Sequence, residues 1–116
     1  MADKKEIMSA LRELKETRLL SSEVDKLMEP YVGATFDLRL DFVSAGRSFG
    51  RQKDPIYNDG QKVLCAAEKW DVECDILFTP DDNDLVESLE VGQDFQVTVR
   101  FIEYDVLYQR IIFGKV

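Results

Sequence analysis

Two apolar rhythms run along this chain, a helical one near its start and a period-two one through the rest. Within residues 3–29, Ile7, Ala10, Leu11 and Leu14 recur on one helix face, while Glu13, Lys15 and Glu16 fall off it. Asp3 and Glu6 have capping-box spacing, an acceptor at the cap and a carboxylate three residues on. Leu19-Leu20-Ser21-Ser22 breaks the pattern, and Ser22 is placed to cap a second short helix carrying Val24, Leu27 and Met28. Pro30 disfavours helical geometry in the residue before it, so this helix ends near Glu29. Burying Ile7, Leu11 and Leu14 contributes about 1.5–3 kcal/mol each, enough to dock the first helix on its own domain or on a second subunit.

After Gly33 the period changes. Phe36, Leu38, Leu40 and Phe42 alternate with Asp37, Arg39 and Asp41, which predicts a strand near 34–45 with one apolar and one charged face. Further strands are expected near 62–69, 71–79, 94–103 and 106–114. The third carries Val72, Cys74, Ile76 and Phe78; the fourth carries Phe95, Val97, Val99 and Phe101. Between those two, Thr79-Pro80-Asp81-Asp82 starts a short helix near 81–89, and Leu89-Glu90-Val91-Gly92-Gln93 closes it with a glycine. A turn centred on Lys69-Trp70 sets the register of the second hairpin. It opposes Ala67 to Val72, Cys65 to Cys74 and Val63 to Ile76, all on one apolar face. The outer face then shows Leu64, Ala66, Glu68, Glu73, Asp75 and Leu77. Between the first two strands lies a long segment, Gly46 to Gln61, that gathers Arg47, Phe49, Arg51, Lys53 and Tyr57 between glycines.

The size, 116 residues, fits one domain, organised as a helical extension over 1–30 and a β domain over 31–116. The fold class expected is mainly β (α+β by content). Net charge is −8, and the acids crowd the second half, a surface that repels phosphate polymers and anionic membranes. No apolar run approaches the ~18 residues of a membrane span. Met1 to Glu6 lacks the hydrophobic segment of a signal peptide, so a cytoplasmic location is the expectation.

Five strands, a long first hairpin loop and a helix between the third and fourth strands match the order of an OB-fold, a five-stranded Greek-key barrel. Val72-Glu73-Cys74-Asp75-Ile76 and Leu89-Glu90-Val91-Gly92-Gln93-Asp94-Phe95-Gln96-Val97-Thr98-Val99 resemble the pattern of the bacterial tRNA_anti-like OB-fold family, over residues 31–114. The chain departs from that pattern at Val99-Arg100-Phe101-Ile102, where a glycine is common, and in a first strand without the usual threonine–glycine pair. The resemblance implies a binding module for nucleic acid, sugar or protein.

Candidate chemistry narrows this. Histidine is absent, which removes the usual general base, the usual zinc ligand and the Ser-His and Cys-His nucleophiles. No catalytic residue, metal or cofactor is expected. Asp81, Asp82, Asn83, Asp84 and Glu87 lack the spacing of a calcium loop and read as acids capping a helix start. Cys65 and Cys74 are placed for a cross-strand disulfide but read as buried, inert thiols in a reducing compartment. Arg47, Phe49, Arg51, Lys53 and Tyr57 combine cations with stacking faces, as single-strand binders do. The neighbouring sheet face opposes that use with three carboxylates and no aromatic platform. Leu64 and Leu77 on that face, with Trp70 at the hairpin tip, suit a protein contact instead. The expected function is therefore a non-enzymatic binding module for a protein partner or a second copy, with single-stranded nucleic acid as the alternative.

Overall fold

The structure, a computed structural model, describes residues 4–16, 21–47, 55–67, 72–105 and 110–116. Two helices come first, α1 (Lys4–Glu16) and α2 (Ser21–Met28), followed by a 3-10 turn at Glu29–Tyr31. Pro30 sits inside that turn, so the α-helical geometry stops at Met28 as expected. Ser22 lies in the first turn of α2 rather than at its cap, because the helix starts one residue earlier. Asp3, the expected cap of α1, lies outside the described residues.

Five strands follow: β1 (Thr35–Arg47), β2 (Gln61–Ala67), β3 (Val72–Leu77), β4 (Asp94–Asp105) and β5 (Arg110–Lys115). They form one mixed sheet that closes into a barrel-like ring in the order β1-β2-β3-β5-β4, with β4 returning to β1. The β3/β5 pair is parallel and the other four are antiparallel. Two long strands make closure possible. β1 pairs with β4 through Thr35–Asp41 and with β2 through Asp41–Arg47. β4 pairs with β1 through Asp94–Arg100 and with β5 through Val99–Asp105. Each carries a register shift where it changes partner, between Phe42 and Ser44 and between Phe101 and Glu103, and such a bulge bends the strand.

The alternating positions point inward as the pattern predicts. Phe36, Leu38, Leu40, Val63, Cys65, Cys74, Ile76, Val97, Val99, Phe101, Ile111 and Phe113 form one buried cluster, and Phe36 meets Phe113 edge to face at 6.1 Å. Ile7, Leu11 and Leu14 of α1 belong to the same cluster. The helix touches β1 and β3, which are not neighbours in the ring, so it lies across an opening of the ring. α2 leans on β4 with Val24 and Met28. Among the described residues, no helix is long and apolar enough to cross a membrane.

Between β3 and β4 a 3-10 turn, Pro80–Asp82, runs into a short α3 (Asn83–Glu87), and its Val86 is buried in the core. The acids at this start do not cap it through their side chains. Asp82 at the cap makes no such bond, and its Oδ1 instead accepts from Lys115 Nζ at 2.9 Å. Gly92 does not end the helix either. It occupies the tight turn Glu90–Gln93 with φ +84°, which suits glycine, and its N–H donates to Phe42 O at 2.8 Å.

Candidate functional site

The outer face of β2 and β3, where the sequence places Leu64 and Leu77 as partner contacts, continues onto β5. On β2, Lys62, Leu64 and Ala66 point outward and are half-buried, and Glu73 on β3 is exposed. Asp75, two residues on, is only 5% exposed. Leu64 of β2 and Ile112 of β5 stand opposite it on the two neighbouring strands and crowd it. Its two carboxylate oxygens face Lys62 Nζ at 3.6 Å and Arg110 Nη1 at 3.4 Å. The two cations share one buried carboxylate, and with the exposed Glu73 the face carries two positive and two negative charges.

The far side of this face is covered by the chain itself. A 3-10 turn at Pro55–Tyr57 folds the end of the first hairpin loop back over the sheet. Tyr57 is 1% exposed, packed with Leu77, Ile102 and Ile112 in a second buried cluster. Its hydroxyl donates to Lys115 O at 2.8 Å. The ring lies directly on Gly114, where any Cβ would collide with it. Leu77, expected to be an outward partner contact, is 3% exposed because Tyr57 covers it. Tyr57 itself has no free face for a stacked base. Of the remaining candidates, Arg47 is exposed at the end of β1, Leu64 is half-buried, and Phe49, Arg51, Lys53 and Trp70 lie outside the described residues.

Other cations near the ring are also paired with acids: Arg39 with Asp94 at 2.7 Å and Lys115 with Asp82 at 2.9 Å. The opposed pair Cys65 and Cys74 takes the predicted register, and both thiols are free and buried. Burial first, then the charge of Asp75, pushes Cys65 up to about 12, and burial drives Cys74 upward as well. At neutral pH both are protonated and poor nucleophiles.

One feature escaped the sequence reading. A cleft of 610 Å³ opens between α2 and the end of β4, walled by Asp25, Glu29 and Val32 on one side and Ile102, Glu103 and Tyr104 on the other. Asp25 lies on α2 and Glu29 opens the 3-10 turn that follows it, and their four-residue spacing is visible in the sequence. Their placement across from Glu103 depends on how α2 docks, which is not. Burial and the neighbouring Asp105 carboxylate raise the Tyr104 hydroxyl above its usual range.

Compared with known proteins, the chain matches no family model, no curated protein and no solved structure.

Proposed function

We propose that this chain is a non-enzymatic OB-fold module that acts by binding protein, either a partner or a second copy of itself. Support for the fold comes from the strand order β1-β2-β3-β5-β4, the parallel β3/β5 pair and the helix between β3 and β4. The tie to the bacterial tRNA_anti-like family is part of the proposal and rests on the motifs around Cys74 and Leu89–Val99. Two opposed thiols that stay free fit a reducing compartment such as the cytoplasm.

The observation that carries the functional reading is the Lys62–Asp75–Arg110 arrangement beside Leu64 and Ala66. Two cations balanced by Asp75 and Glu73 offer little to a phosphate backbone, while a patch with half-buried aliphatic groups and no net charge suits a protein surface. Titration of labelled single-stranded DNA and RNA at low and high salt, read by fluorescence anisotropy, separates the readings. The expected result is no binding tighter than about 10 μM, since non-specific phosphate binding is ordinarily weaker or steeply salt-dependent. Salt-sensitive binding lost on replacing Arg47, Phe49, Arg51 and Lys53 would overturn the proposal in favour of nucleic acid. Light scattering over a concentration series, with Leu64→Arg beside the wild type, decides between a second copy and a different partner.

A further inference from the structure

The ring is closed along most of its length but not all of it. β1 begins at Thr35, opposite Arg100 of β4. Ala34 and Gly33 carry the ladder one step further, since Phe101 N–H donates to Ala34 O at 3.0 Å and Gly33 N–H donates to Phe101 O at 3.3 Å. Gly33, with φ +80°, then turns the chain away towards α2. From Ile102 to Tyr104, β4 is laddered to β5 on one edge, and among the described residues no strand pairs with the other. An unpaired edge presents main-chain N–H and C=O groups to any extended chain that reaches it.

This open edge forms one wall of the 610 Å³ cleft, and its charge selects the occupant. Asp25 on α2 and Glu29 at the start of the 3-10 turn stand on one wall and Glu103 on the strand wall, all exposed, against Lys26 as the one cation among the described lining residues. Three carboxylates bordering one cleft repel each other, and a cation between them relieves that repulsion. The floor is apolar, from Met28, Phe101 and Ile102, and Val32 at the rim is 62% exposed. Main-chain groups, an acidic rim and an apolar floor together call for an extended segment alternating basic and apolar residues, because successive side chains of a strand point to opposite sides.

We propose that this cleft captures an extended lysine- or arginine-bearing segment of a partner protein, which adds to β4 along Ile102–Tyr104 while Asp25, Glu29 and Glu103 hold its cations. The proposal rests on the protein-binding reading above and names where and what the module binds. The open edge spans three residues, or about 10 Å, so the ladder is short and the affinity expected is micromolar, with much of the selectivity from charge.

The test titrates a labelled peptide alternating lysine and valine against the wild type and two variants of equal charge change. Asp25→Lys with Glu103→Lys alters the cleft, and Asp81→Lys with Asp84→Lys alters exposed acids on and beside α3. Thermal melts of each variant confirm folding, and Glu29→Gln gives a milder second cleft variant. The wild type should bind, the cleft double variant at least about tenfold more weakly, and the α3 double variant almost as the wild type does. A lysine–proline peptide, which lacks alternate N–H donors, should lose about tenfold against the lysine–valine one. Absence of binding, equal loss in both double variants, or equal binding of the proline peptide would each overturn the proposal. Self-association abolished by the cleft variant would reassign the cleft to a second copy. None of these results involves the Leu64 face or the oligonucleotide titration, so the broader reading stands or falls separately.

Discussion

Asp75 keeps a carboxylate almost out of water on the outside of a β-sheet, held by Lys62 and Arg110, whose own side chains remain 42% and 30% exposed. The consequences of breaking this group are therefore unequal. Asp75→Asn frees two cations that water can still reach, and the loss should be small. Lys62→Met with Arg110→Met leaves a buried, unpaired carboxylate, and should cost about 3–5 kcal/mol in urea unfolding, restored in large part by adding Asp75→Asn. Equal losses from both ends of the group would contradict this account. The thiols titrate far from neutrality. Below their ordinary value of 9.0, folded and unfolded chains both hold the protons, so pH has no leverage on stability through them. Above it the unfolded chain ionises while Cys65 stays protonated up to about 12. Stability should therefore fall as pH rises through that window, by at most about 1.4 kcal/mol per pH unit for each thiol. Cys65→Ala with Cys74→Ala should flatten this alkaline limb in unfolding curves, leaving the smaller share of Tyr104, whose hydroxyl is also held above its usual 10.0. An unchanged limb would show that the thiols are not buried as described.

Elements that alternate strictly were legible from sequence, and elements whose environment comes from elsewhere in the chain were not. Phe36–Phe42 and Val72–Ile76 fixed which face looks inward, and the register of β2 on β3 followed from a two-residue turn centre. The same period correctly sent Asp75 and Leu77 outward. It said nothing of Tyr57, which arrives from twenty residues away to bury Leu77, or of the lateral crowding that dries Asp75. Nor could it show the bulge at Phe101–Glu103, because that bulge serves a change of partner strand that only the closed ring imposes. The cleft beside β4 is a product of that same geometry. The loop's return over the sheet makes its own prediction. Gly114 exists to admit the Tyr57 ring, so Gly114→Ala should cost about 1–3 kcal/mol through overpacking, and Tyr57→Ala about 3–5 kcal/mol through the cavity it leaves. In the Tyr57→Ala background the glycine substitution should become nearly silent. Additive losses in that cycle would mean that the ring does not rest on β5.

At the scale of the molecule, the helices belong to the ring's core rather than to an appendage beside it. Ile7, Leu11 and Leu14 are buried in the same cluster as Phe36, Cys65, Cys74 and Phe113, and α1 bridges two strands that do not touch each other. A helix that closes an opening of a barrel cannot leave without wetting the interior. The chain should consequently unfold as one unit, with helix and sheet lost together. Leu11→Ala tests this, since truncating a buried leucine costs about 2–5 kcal/mol wherever the surroundings cannot collapse. The loss can be followed by two probes, far-UV circular dichroism for the helices and reactivity of Cys65 and Cys74 for the interior. Both thiols are shielded in the folded ring, so their labelling reports its opening. In Leu11→Ala the two transitions should shift together to lower urea with an unchanged slope. Helix signal lost well before the thiols react would instead show that residues 1–30 melt as a separate extension, and that the ring retains its core without them.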